Sequence, residues 1–176
     1  FHKSMEKIQA HFIGTSIASN SQDAFSLYRK SHFGEPVGEK IQYSLPEALF
    51  LTEKRKMEVS HKKKWLPFKE LMKKAYSNDK RIDIKYPVFK NLREKGYVVK
   101  TALKFGADFR VYERGFQPGQ KHAKWIVFAD HESGRFTWHE FSAKNRVAHS
   151  TKKALLLAIV DEEGDVSYYE VRWEKP

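Results

Sequence analysis

The feature that most constrains the fold is an uninterrupted apolar run of seven residues, Ala154–Val160, late in the 176-residue chain. It is the longest apolar run, and it is far shorter than the roughly 20 residues that a helix needs to cross a bilayer. Polar residues 161–164 follow it, and residues 166–173 then alternate between apolar and polar side chains. This pattern predicts a buried strand, a tight turn and a return strand.

The composition predicts an ordered globular protein, since 40% of the residues are hydrophobic and 14% are aromatic. The chain has no cysteine, which excludes disulfides, zinc sites built on thiolates and a cysteine nucleophile. Its start lacks the charged and apolar segments of a secretory signal. We therefore expect a cytoplasmic protein with no membrane partner.

The charge pattern favours a polyanionic partner. The formal net charge is +11, and the excess is densest between Lys54 and Lys74, where nine lysines and arginines face only Glu58 and Glu70. Such a field suits nucleic acid, because bound phosphates release their counterions. The alternative is a solvated lysine surface, and charge alone does not say whether a nucleic acid is bound or cut.

The first half of the chain mixes short strands with amphipathic helices. Ser44 and Glu47 have the spacing of a capping box, which predicts a helix start there. Strands are expected in residues 11–19, 41–43 and 57–59, and helices in residues 22–31 (stopping at Gly34), 45–55 and 65–76.

The second half follows a polar, turn-like segment at residues 77–80, which is the predicted domain boundary. Beyond it we expect a helix over residues 84–95 that ends at Gly96, strands over 97–103, 108–113, 123–129 and 154–160, and a later helix within 136–147. The sequence therefore predicts an α+β protein of two small mixed α/β domains, residues 1–80 and 81–176.

Nucleotide and metal signatures are missing from the sequence. It contains no GxGxxG or Walker-type loop, so no cofactor is expected. The pairs His131-Glu132 and His139-Glu140 resemble half of a zincin motif, but neither has the second histidine at the required offset. Residues 85–176 also lack the carboxylate pair and Glu-x-Lys run of restriction-type nucleases, so no metal site is predicted.

Three polar residues of the second half lie at strand and turn positions. Tyr112 follows Phe109 and Val111, which share a strand face, so Tyr112 is expected on the other face. His122 stands where a glycine-containing loop meets the next strand, and Lys153 immediately precedes the buried strand. Singly, each is more often an ordinary core or surface residue than a functional one.

Together, these segments resemble the archaeal tRNA-intron endonucleases. The resemblance covers roughly residues 11–173 and is strongest in the second half. The motifs that carry it, in chain order, are residues 45–51, 109–115, 121–123, 146–149, 152–153 and 161–165.

The resemblance implies a catalytic subunit in which Tyr112, His122 and Lys153 are the catalytic residues. Lys152 is the competing lysine, because a one-residue slip would exchange the two side chains. It also implies a second domain similar to restriction endonucleases. The acidic turn, residues 161–165 from Asp161 to Asp165, resembles a loop that family members insert into a neighbouring subunit.

The substrate implied by the resemblance is precursor tRNA, cut at a bulge–helix–bulge. Arg146 and Arg172 are the expected RNA-binding residues, since family members clamp a bulged base between arginines. Two cuts require two sites at a fixed separation, so at least a symmetric dimer of catalytic units is expected. We expect a homo- or heterotetramer, and a part of a longer duplicated chain is the other possibility. The alternatives are a non-catalytic structural subunit, an unrelated nucleic-acid-binding module and a metal-dependent nuclease of the same fold.

Overall fold

The computed structural model describes residues 6–176, which form two compact units. The first unit ends at Tyr86, and the second runs from Pro87 to Pro176. The predicted boundary between residues 80 and 81 stays a prediction, and residues 1–5 of its first domain lie outside the described part. Within that part, no helix is both long and apolar enough to cross a membrane.

A six-stranded sheet is the centre of the first unit. Its strands are β1 (Ile8–Ile13), β2 (Ser16–Ser19), β3 (Glu35–Val37), β4 (Lys40–Tyr43), β5 (Met57–His61) and β6 (Lys64–Leu66). They lie in the order β3-β4-β2-β1-β5-β6, with β1 parallel to β5 and the other neighbours antiparallel. Every second residue of β1 is buried, as expected for a strand with one face on a core.

Three helices of this unit have bounds that refine the predictions: α1 (Gln22–Ser31), α2 (Leu45–Glu53) and α3 (Phe68–Asn78). The α1 prediction is confirmed, although its end is capped by left-handed His32 rather than by Gly34. The helix predicted over 65–76 begins too early, because Trp65 and Leu66 belong to β6 and extended Pro67 caps α3. Residues 11–19 form two strands, since Gly14 turns the chain between them.

The second unit is a five-stranded sheet with flanking helices. Its elements, with the helix that leads into it, are α4 (Ile82–Glu94), β7 (Val99–Ala102), a 3-10 turn (Leu103–Phe105), β8 (Ala107–Val111), β9 (Trp125–His131), α5 (Trp138–Ser150), β10 (Ala154–Val160) and β11 (Val166–Val171). The strand order is β11-β10-β9-β8-β7. Strands β9 and β10 are parallel, and α5 makes the crossover between them.

The buried strand and its hairpin are confirmed. β10 lies between β9 and β11, with Leu155 and Ala158 almost fully buried, and Val160 pairs with Val166 across the turn. Gly96 adopts a φ of 89° after α4, as its predicted role as a helix cap requires. Each unit mixes helices with a largely antiparallel sheet, so the predicted α+β class is also confirmed.

Candidate active site

Three strand ends of the second unit meet at one edge of its sheet. In the strand register, Val111 at the end of β8 lies opposite Trp125 at the start of β9. Trp125 in turn lies beside Ala154 at the start of β10. Two further backbone hydrogen bonds join this edge, from Lys124 N–H to the Val111 carbonyl (2.9 Å) and from Ala154 N–H to the Lys124 carbonyl (2.9 Å). Residues flanking these ends are therefore brought together by strand pairing.

The three predicted catalytic residues lie at this edge and line one cavity. Tyr112 comes directly after β8, His122 lies three residues before β9, and Lys153 directly precedes β10. The cavity has a volume of about 330 Å³, and Phe105, Arg110 and Lys121 complete much of its wall. Residues that are 41 positions apart in sequence thus face a common space that could hold a phosphodiester.

A backbone hydrogen bond, rather than the alternation of a strand, positions Tyr112. Its side chain is only 7% exposed, and its N–H donates to the carbonyl of Val98 at 3.1 Å. β8 ends at Val111, so Tyr112 belongs to the irregular segment that follows. The expectation that alternation past Phe109 and Val111 would orient it rested on a predicted strand that ended two residues too late.

His122 is exposed and lies in a loop fastened by an ion-pair cluster. The Glu113 carboxylate accepts from Lys121 Nζ at 3.0 Å and lies 3.5 Å from Lys124 Nζ. The hydrogen bond from Lys121, helped by the charges of both lysines, lowers the pKa of Glu113. The carboxylate therefore connects the start of the loop to the residues on either side of His122.

Lys153 and Lys152 occupy different environments. Lys153 Nζ lies 5.5 Å from the centroid of the Phe105 ring and donates to the Thr151 carbonyl at 3.2 Å. Lys152 adopts a left-handed φ of 55° and is exposed. Lys153 lines the cavity that Tyr112 and His122 share, whereas Lys152 lines only the larger cavity next to it.

The cavity continues into a groove toward the two predicted RNA-binding arginines. A space of about 650 Å³ shares His122 and Lys153 with the first cavity and also touches Arg172. A further space of about 530 Å³ is lined by both Arg146 and Arg172. Lysines and arginines therefore line each of these spaces, as binding of a phosphate backbone requires, together with the carboxylates of Glu113, Glu170 and Glu174.

Trp173 is a groove residue that sequence reasoning did not single out. Its ring is 60% exposed and lies 5.0 Å from the His149 ring, in the same space as Arg146 and Arg172. An aromatic ring beside guanidinium groups is the type of surface on which unpaired bases stack. The sequence signal that could have identified it is a tryptophan at the end of the alternating segment 166–173.

A group capable of holding a metal ion lies at the opposite end of the same strands. His131, Glu132 and Glu162 offer ligand atoms within 4.8 Å of one another. His131 ends β9 and pairs with Val160, whereas the catalytic candidates flank the starts of β9 and β10. Seven strand residues separate the two places, or roughly 20 Å, so these ligands cannot serve a phosphodiester in the Tyr112 cavity.

Known proteins are similar to this chain over nearly its whole length. The sequence model of the tRNA intron endonuclease N-terminal domain matches residues 8–72, and that of the catalytic C-terminal domain matches residues 82–168. The tRNA-splicing endonuclease of Thermococcus gammatolerans is 44% identical over 91% of this chain and 94% of its own length.

Two more relatives carry the same description. The tRNA-splicing endonuclease of Pyrococcus horikoshii is 43% identical over 96% of this chain and 97% of its own length. That of Nanoarchaeum equitans is 44% identical over 75% of this chain and 88% of its own length. With both domain models matched in order and relatives of this identity, the chain belongs to the tRNA intron endonuclease family.

Proposed function

We propose that this chain excises introns from precursor tRNA without a catalytic metal, by cutting at bulge–helix–bulge junctions to leave 2′,3′-cyclic phosphate and 5′-hydroxyl ends. The coarser activity follows from the family: the chain is an endonuclease of tRNA splicing. The finer proposal depends on one observation, the cavity shared by Tyr112, His122 and Lys153.

The reaction needs little beyond proton transfer and charge stabilisation, because RNA carries its own nucleophile. The 2′-hydroxyl attacks the adjacent phosphorus, the bond to the 5′-oxygen breaks, and the 2′,3′-cyclic phosphate remains. One proton leaves the 2′-hydroxyl and another is given to the departing 5′-oxygen. Holding the reacting atoms in line supplies a large part of the acceleration.

His122 is the proposed general acid. Imidazole changes charge in the physiological range, at a reference pKa of about 6.5, so it can hold a proton beside phosphate and release it to an alkoxide. The exposure of His122 on its loop supports this role, because the leaving oxygen must reach the ring.

Tyr112 is proposed to act on the 2′-hydroxyl nucleophile, and Lys153 on the phosphate. A phenol is a weak base unless a neighbouring cation favours its anion, which the Lys153 ammonium could do within the same cavity. Tyr112 would thus take the 2′-hydroxyl proton or hold that hydroxyl in line. Lys153 would stabilise the charge that grows on the nonbridging oxygens, which is often the largest catalytic contribution.

Substrate choice is proposed to come from RNA shape. Specific RNA readers favour unpaired bases, which they hold against aromatic rings or guanidinium planes. Arg146 and Arg172, which share the third space of the groove, are the proposed residues that hold a bulged nucleotide. Arg172 is 75% exposed and only loosely paired with Glu170, at 3.4 Å, so it is free to turn toward RNA.

The active assembly is proposed to be a homo- or heterotetramer joined through the acidic turn. Asp161 shapes this turn, since its carboxylate accepts from the N–H groups of Glu163 and Asp165 at 2.9 Å each. The Glu162 side chain is 79% exposed. A rigid turn with outward carboxylates is suited to a basic pocket on a second subunit.

Incubating the chain with a bulge–helix–bulge RNA in EDTA tests the proposal. We expect two cuts and ends that carry a 2′,3′-cyclic phosphate and a 5′-hydroxyl. Cleavage that needs added metal and leaves 5′-phosphates would contradict it. Binding without cleavage would instead identify the chain as a structural subunit of the splicing complex, the alternative that retention of all three catalytic side-chain types disfavours.

A further inference from the structure

The hairpin between β5 and β6 in the first unit has an unusual turn. His61 pairs with Lys64, so two residues, Lys62 and Lys63, make the connection. Their φ angles are 50° and 63°, which places both in the left-handed region. A two-residue turn of this geometry normally uses Asn-Gly or Gly-Gly, because a Cβ atom is disfavoured at both positions.

Lysine at both positions therefore costs stability that asparagine and glycine would not. Backbone strain of this kind persists where it serves a function, which motivates a functional explanation for the pair. Neither residue fills a core or caps a helix: both side chains are exposed. What the turn gains from them is two positive charges projected from the end of a hairpin.

The surroundings of the turn have the chemistry of a nucleic-acid contact. Lys62, Lys63 and Lys64 are exposed, and no hydrogen bond or ion pair joins their side chains to another residue within 6–176. Trp65 follows directly and is 57% exposed. The acidic neighbour on β5, Glu58, is already hydrogen-bonded to Gln9 at 3.0 Å and to Lys7 at 3.4 Å.

We propose that Lys62, Lys63, Lys64 and Trp65, here called the basic tip, form an additional RNA contact on the first unit. The ammonium groups bind phosphates, and the indole stacks on an unpaired base, the combination that proteins use for single-stranded nucleic acid. The proposal rests on the proposed function, because it takes RNA as the substrate. The exposed indole next to the lysines favours RNA over an acidic peptide, since a nucleotide offers both a charged phosphate and a base on which the ring can stack.

The double variant Lys62→Asn, Lys63→Gly tests the basic tip, because it should stabilise the fold and at the same time weaken RNA binding. It installs the turn sequence that this geometry prefers, so we expect Tm to rise by roughly 3 °C or more. It also removes two cations. We therefore expect Kd for the RNA to rise several-fold, and the slope of log K against log salt to lose about 1.5, since each phosphate contact contributes about 0.7 to 0.9.

Arg55 offers a matched control. It is exposed, has a φ of 59°, and lies before the start of β5, whereas Lys62 lies beyond its end. Arg55→Gly and Lys62→Gly each remove one cation and one left-handed side chain. Both should raise Tm, but Lys62→Gly should weaken RNA binding and lower the salt slope more than Arg55→Gly does, because Arg55 contributes only to the general positive field.

Binding should be measured with a bulge–helix–bulge RNA that carries 2′-deoxy nucleotides at the junctions and cannot be cut. A higher Tm with unchanged Kd and salt slope would overturn the proposal. So would a change in the mass of the protein assembly, which would assign the tip to a protein partner. Wild-type protein that binds but never cuts the unmodified RNA would contradict the proposed function alone, since the tip is judged by binding.

Discussion

At the residue scale, two adjacent lysines provide the sharpest test of the site. We expect Lys153→Ala to lower the single-turnover cleavage rate by at least about 10²-fold, because a cation aimed at the charge formed during reaction is lost. RNA affinity should stay within a few-fold, since many other cations line the groove. Rates at saturating protein, together with Kd from a non-cleavable RNA, separate the two effects.

Lys152→Ala is the matched comparison for that variant. Lys152 carries the same charge but lies outside the Tyr112 cavity, so its loss should affect binding more than the saturated rate. Equal rate losses in the two variants, or a larger loss for Lys152→Ala, would show that the assignment is off by one residue.

Single residues also mark where sequence reasoning stops. Motif order indicated Tyr112, His122 and Lys153, because their types and spacing are visible in the chain. The local geometry was not visible in the sequence: Lys152 adopts a left-handed φ of 55°, and Tyr112 lies just beyond the end of β8. Strand alternation applies to neither residue, so only the three-dimensional structure distinguishes Lys153 from Lys152.

At the element scale, the start of α2 contains a buried carboxylate that the sequence only partly explains. Glu47 accepts from the N–H of Ser44 at 3.1 Å, as the predicted capping box requires, and also from the N–H of Gly34 at 2.6 Å. Glu47→Ala leaves these donors unsatisfied in a site that is 4% exposed. We expect a loss of about 3 kcal/mol in the free energy of unfolding, measured by urea titration.

Glu140→Ala serves as the comparison, since Glu140 holds the same position after the cap of α5 but is exposed. Its loss should cost only about 0.5 kcal/mol. Similar costs for both variants would mean that burial and the bond to Gly34 add little to the cap.

The loop that presents His122 depends on the ion pairs of Glu113. We expect Glu113→Gln to lower kcat several-fold while leaving the shape of the pH–rate profile between pH 5 and 8 unchanged, because Glu113 positions the loop and takes no part in proton transfer in the proposed reaction. Since Lys121 lowers the pKa of Glu113, the tie is complete above the ordinary carboxyl range and is lost as the pH falls through the lowered pKa. Profiles from pH 3 to 8 test this, and a variant profile that is shifted between pH 5 and 8 would give Glu113 a direct part in proton transfer.

Local patterns predicted most elements of this chain and missed those that depend on pairing. Helix caps and the apolar run of β10 act locally, so α1, α2 and β10 follow from sequence. β3 and β6 are three residues long and are defined by their partner strands. Neither strand has the apolar alternation that a buried face imposes, because nearly all of their residues are exposed, and the unrecognised β6 made the predicted α3 begin too early.

At the scale of the whole molecule, the proposed reaction favours an assembly of several chains. Each catalytic unit brings one Tyr112 cavity, whereas removal of an intron requires two cuts. The chain covers 94% and 97% of the lengths of the Thermococcus gammatolerans and Pyrococcus horikoshii enzymes. Assembly of several such chains would supply the paired sites.

The acidic turn provides the test of that assembly. Glu163→Lys reverses one exposed charge and keeps Asp161, whose carboxylate holds the turn together. If the turn enters a basic pocket, the like charge should repel, so light scattering should show a smaller mass and cleavage should fall with it. Glu39→Lys makes the same charge change in the turn between β3 and β4 and should keep the mass of the wild type. Dissociation by both variants would trace the effect to net charge, whereas an intact Glu163→Lys assembly would place the subunit contact elsewhere.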